Sequence, residues 1–141
     1  MADILLAIDI QHEASWRTAL PEAVAQARNK EATLQVCAVV PDFGMSIVGQ
    51  YFPADFEKDA LRKAGEELQA FCQANIPEGV DWSAHLGHGD IDKEILRLAE
   101  ELKVSLIVMS SHQPSELRSL LVGSHAAHVV NHAPVSVLVV R

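Results

Sequence analysis

Nearly continuous apolar runs alternate with segments of helical spacing from one end of this chain to the other, and that rhythm constrains the fold most. DILLAID (residues 3–9), ATLQVCAVV (32–40), residues 103–109 and VSVLVV (135–140) are short and apolar on both alternating faces. Such runs suit strands covered on both sides. Between them, Trp16, Leu20, Val24 and Ala27 recur at helical spacing over residues 15–28, with Pro21 marking either a kink or the true start. Phe56, Leu61, Ala64, Leu68 and Phe71 make one face of a long helix over residues 54–74. Shorter helices are expected over 91 to about 102 and over 123–132, and a strand of mixed polarity over 80–86 belongs at a sheet edge. The alternation predicts one α/β domain over residues 1–141: a parallel sheet, right-handed crossovers and helices on both faces. No linker, repeat or low-complexity segment interrupts it.

No apolar run approaches the roughly 20 residues of a membrane span. The amino terminus lacks a basic region before its apolar run and meets Asp9 at once, so a secretory signal is not expected and the cytoplasm is the expected location. A net charge of −8, with Lys and Arg scattered, argues against nucleic acid and acidic membranes as partners. It leaves room for a small anion held by local N–H dipoles, or for a protein partner. Cys37 and Cys72 fit no CxxC pattern and read as buried free thiols.

In an open parallel sheet ligands bind beyond the strand carboxyl ends, where strand order reverses. The loops at that end are residues 9–13, 39–42, 87–92 and 110–124. Asp9 closes the first strand; its carboxylate suits a ribose hydroxyl or a metal ion, and equally a turn or a cap. Gly89 and Asp90 either bring backbone close to a ligand or simply start a helix. Gly123 and Ser124 open the last helix, where orphan N–H groups and the helix dipole favour a phosphate; a cap without ligand is the plain alternative. Ser110, Ser111 and His112 add donors to the same crevice. No GxxxxGK[ST] is present, and no Ser lies in GxSxG.

His125, His128 and His132 fall within a sector of about 60° on a helix. Ala126, Val129, Val130 and Ala133 are expected on the opposite side. The imidazoles read as a solvent-facing stripe rather than a zinc site, because one helix face supplies only His and no Cys is near. The segment 41–53 is a loop by its Pro and Gly content, yet carries Phe43, Met45, Ile47, Val48, Tyr51 and Phe52. It either packs back on the domain or forms a lid or contact surface.

These features together resemble the universal stress protein family over nearly the whole chain. ATP-binding members of that family carry G-x2-G-x9-G-[ST] between the fourth strand and the last helix. Counting back from Gly123-Ser124, the leading glycine positions fall on Ser110 and Gln113, so only the second half of the motif is intact. SHQP, then LLVGS and a VLVVR ending, is similar to a single-domain, enterobacterial-type nucleotide-binding subgroup in which those glycines are also replaced.

The resemblance implies a Rossmann-like, adenine nucleotide alpha hydrolase-like fold: a three-layer open sheet of five parallel strands in the order 3-2-1-4-5. It also implies a site for ATP or AMP, with Mg carried by the nucleotide. Ile8 and Asp9 would lie at the ribose or the phosphate-bound metal, Val39 at the adenine edge, and Gly89 before the following helix. Ser110, Ser111, His112, Gln113, Gly123, Ser124 and the His125 backbone would surround the phosphates. Family members act in stress resistance with little or no ATP turnover, through regulatory partners, and form homodimers through the last strand. Val135, Val137, Leu138, Val139 and Val140 give that strand an apolar edge in need of a partner. Two other readings stand beside this one: an interaction module whose cleft Ser110 and Gln113 have closed, and a slow phosphohydrolase using His112.

Overall fold

The computed structural model of the protein describes residues 2–40, 56–111 and 124–141. Five strands form one sheet: β1 (Ile4–Ile8), β2 (Leu34–Val40), β3 (Trp82–His88), β4 (Leu106–Ser110) and β5 (Ser136–Val140). Every pairing is parallel, as the alternation predicts, and the order is β3-β2-β1-β4-β5, as the family resemblance implies. The helices are α1 (Ala19–Lys30), α2 (Phe56–Asn75), α3 (Ile91–Glu101) and α4 (Ser124–His132).

β1 and β4 are almost wholly apolar because side chains on both faces have a helix to meet. Ile4, Leu6, Leu34, Val36 and Val108 pack with Leu20 and Val24 of α1 and with Leu68 and Cys72 of α2. Leu5, Cys37, Ile107 and Met109 point the other way, toward Ile95 and Leu98 of α3 and Ala126 and Val129 of α4. Burying a residue such as Leu5 fully contributes about 1.5–3 kcal/mol relative to exposure. The two thiols lie in these opposite layers, so they face different sides of the sheet and are free. Burial pushes Cys37 up to about 12, with Glu94 adding to it, and Cys72 up to about 11.

Several boundaries differ from the sequence reading. Residues 13–15 form a 3-10 turn and α1 starts only at Ala19, so Trp16 is not on the helix. Pro21 is then the third residue of α1, inside the first turn, where a missing N–H breaks no intrahelical bond. β3 begins two residues late, after Gly79 turns the chain at φ +90. It lies at the edge, paired to β2 alone, which accounts for its mixed polarity. Val130 is the clearest correction: it is 48% exposed, although Ala126 and Val129 of the same helix are buried as expected. The α4 axis is placed so that its buried stripe is narrower than the apolar set in the sequence. No helix among the described residues is long and apolar enough to cross a membrane.

Candidate functional site

The sheet opens at its carboxyl end. β1 and β4 are in register only from Ile4↔Leu106 to Leu6↔Val108, whereas β4 continues beside β5 to Ser110↔Val140. On the other side, β1 and β2 stay paired to Ile8↔Ala38, and β2 runs on beside β3 to Val40↔His88. Ala7 and Ile8 thus have no register partner on β4, and Val39 and Val40 have none on β1. A crevice at the point of strand reversal follows from these registers.

Asp9 forms its near wall. Its Oδ1 accepts from the Gln11 N–H at 3.0 Å and its Oδ2 meets His12 Nδ1 at 2.7 Å. Ser15 fixes the backbone: its Oγ accepts from the Asp9 N–H at 2.9 Å and donates to the Asp9 carbonyl at 2.7 Å. Asp9 is therefore a turn residue held in place at a strand tip, as the turn reading of the sequence has it. Across the crevice, Ser110 Oγ donates to the Ala14 carbonyl at 3.0 Å, tying β4 to the 3-10 turn. The Ser111 N–H goes to the Val140 carbonyl at 2.8 Å, so it serves the β5 pairing.

The far wall is the β3–α3 junction. Gly89 has φ +115, which the turn requires, and a Cβ there would meet no protein atom within 4 Å. Its N–H donates to the Val40 carbonyl at 2.9 Å. Asp90 caps α3 by accepting from the Lys93 N–H at 3.2 Å. The close approach occurs two residues earlier. A Cβ on Gly87 would lie 3.1 Å from Glu94 Cβ and 3.2 Å from Val39 Cγ2. Glu94 accepts from the His88 N–H at 3.2 Å and from Arg97 Nε at 2.8 Å. The Arg97 bond is the main cause that holds the Glu94 carboxyl below its usual range.

Ser124 is exposed at the first position of α4. His125 turns its ring to Asp92 in the first turn of α3, Nδ1 to Oδ1 at 2.7 Å, and so pins the starts of the two helices together. The histidine stripe is thereby divided. His128 and His132 stack with centroids 4.2 Å apart, and His132 Nδ1 meets the His128 carbonyl at 2.9 Å. Among the described residues no group of three His, Cys, Asp or Glu side chains could hold a metal ion. His112, Gln113, Gly123 and the Phe43 to Phe52 loop lie outside the described residues.

A family model described as the universal stress protein family matches residues 1–141. The chain belongs to the universal stress protein family. It is 32% identical to a putative universal stress protein of Staphylococcus aureus (strain USA300), over 99% of this chain and 83% of the relative. Among solved structures it is similar to a universal stress family protein of Burkholderia pseudomallei, with a TM-score of 0.73 and 26% identity over 99% of this chain and 96% of that one. It also has the fold of the Archaeoglobus fulgidus universal stress protein solved in complex with dAMP. There the TM-score is 0.63 and the identity 21%, over 100% of this chain and 98% of that one.

The sequence reading brought Ile8, Asp9, Val39, Gly89, Ser110 and Ser111 to the rim of the opened sheet, and there they stand. It missed His12, Ser15, Gly87, Asp92 and Glu94. The Asp9-x-x-His12 spacing was a usable signal, since a short turn brings those two side chains together. The Asp92–His125 pair, 33 residues apart, had none.

Proposed function

We propose that this family member binds an adenine nucleotide, ATP or AMP, in the crevice between β1 and β4 and acts as a regulatory stress-response protein with little or no turnover. The observation that carries the reading is the pair of register breaks. They leave the backbone edge at Val39 open beside a fixed carboxylate, Asp9, at the reversal point of the sheet. An adenine edge suits main-chain groups at Val39, a ribose or phosphate-bound Mg suits Asp9, and the start of α4 at Ser124 and His125 suits phosphate. The A. fulgidus relative with dAMP supports the same nucleotide class. We further propose a cytoplasmic homodimer joined through β5, whose partner in regulation is another protein.

A second reading is favoured by one contact: the Ser110 hydroxyl occupies the Ala14 carbonyl across the crevice, where the family motif has glycine. In it the cleft is closed and the protein acts only as an interaction module. Purified protein is heat-denatured and the supernatant analysed for released nucleotide, alongside a thermal shift with ATP-Mg at millimolar concentration. Released adenine nucleotide or a rise in Tm is expected. Neither appearing would select the closed module.

A further inference from the structure

Both oxygens of the Asp9 carboxylate already accept a hydrogen bond before any ligand arrives. One oxygen accepts from the Gln11 N–H and the other from the His12 ring. A carboxylate only accepts, so Nδ1 of His12 must carry the proton in that contact, whether the ring is neutral or cationic. A ribose hydroxyl or a hydrated cation arriving at Oδ2 competes with the imidazole for that oxygen.

The two engagements differ in kind. The Gln11 bond spans two residues and belongs to the turn itself. The His12 bond does not hold the turn. The His12 N–H donates to the Asp9 carbonyl at 3.0 Å, the Ser15 N–H to the His12 carbonyl at 2.9 Å, and Ser15 Oγ bridges the Asp9 backbone. Those bonds keep Asp9 in position without any imidazole. The His12 and Asp9 side chains are 62% and 56% exposed, so the ring can swing into solvent, where water replaces the lost bond.

We infer that His12 is a latch on Asp9: its ring occupies the carboxylate oxygen that a bound nucleotide's ribose or metal ion takes, and it is displaced when the ligand enters. This rests on the nucleotide reading above. The latch sets the affinity of the site, because each binding event first breaks the Asp9–His12 bond.

The test is calorimetric titration of wild type, His12→Ala and His12→Ser with ATP-Mg, and with adenosine without metal. The backbone bonds of the turn predict folded variants, checked by circular dichroism. Both variants are expected to bind about three- to fivefold more tightly, the size of an exposed carboxylate–imidazole bond that no longer has to break. A gain with adenosine assigns the displaced contact to the ribose; a gain with ATP-Mg alone assigns it to the cation. The gain is expected to vanish in an Asp9→Asn background, which a general loosening of the turn would not produce. Unchanged or weaker binding by both variants, with wild type binding, overturns the latch and leaves the nucleotide reading intact. No binding by wild type or variants overturns both. Binding by the variants alone supports the latch and shows it closed.

Discussion

At the scale of single residues, the crevice depends on a position whose importance is steric. Gly87 has no unusual φ, yet it lets the Val39 side chain and the first turn of α3 come together over β3. Gly87→Ala is expected to destabilise the protein by about 1–3 kcal/mol, because the new methyl would sit 3.1 Å from Glu94 Cβ and 3.2 Å from Val39 Cγ2. Urea unfolding of the variant checks this; a change below about 0.5 kcal/mol would show that α3 gives way freely. Gly89→Ala should be harmful for a different reason, its positive φ, since space is open around it. Nothing in the letters GHG separates these two glycines. Only the packing of α3 against β2 and β3 does.

At the scale of elements, α3 is joined to the sheet end by a charge cluster rather than by its cap alone. Glu94 takes the His88 N–H and two nitrogens of Arg97, while Arg97 also reaches Glu101 at 2.6 Å. The Glu94 carboxyl, ordinarily near 4.5, is held lower in the folded protein, chiefly by the Arg97 bond. Its ionised form is thus favoured by folding. The resulting stability is present above about pH 4.5 and is lost as pH falls through the lower folded value. Arg97→Ala removes the largest cause. The stability difference between wild type and Arg97→Ala, measured by urea unfolding from pH 7 to 3, is therefore expected to shrink below pH 4.5. A difference that stays constant across that range would mean the bond contributes nothing to folding. Two other connections, at Glu31 and Lys103, end helices with non-glycine residues at φ 52 and 53. Each supplies the left-handed step of a helix stop: Ala32 N–H bonds Ala27 and Val104 N–H bonds Ala99 at the two ends.

At the scale of the whole molecule, the two sheet edges are unlike. β3 carries polar residues and lies beside α2, whereas β5 is apolar. The Val140 carbonyl accepts from the Ser111 N–H on the β4 side. Alternate residues of a strand direct their backbone groups to opposite sides, so the Val139 N–H and C=O face away from β4. Val139→Pro deletes an edge donor while sparing the β4 pairing. If the proposed dimer forms through β5, this variant is expected to sediment as a monomer at concentrations where wild type is a dimer. Equal sedimentation of the two would place any dimer contact elsewhere.

The sequence pattern by itself determined the element order, the parallel sheet and the loops that gather at one end, while the strand order came from the family resemblance. It could do so because double-sided burial leaves uninterrupted apolar runs, and handed crossovers then permit few topologies. It also brought out Asp9, Gly89 and Ser110, which share a signal of place: each ends a strand or follows one; Val39 came from the family resemblance. The tertiary structure alone decided how those residues are engaged. The His12 ring on Asp9, the Ser110 hydroxyl on Ala14, the Asp92–His125 pair and the tight fit over Gly87 are contacts set by distances between elements. So is the exposure of Val130, which depends on how α4 is rotated against its neighbours. Periodicity reports which faces are apolar. It does not report how far two elements stand apart or how one is turned against the next, and on those distances and rotations the chemistry of this crevice depends.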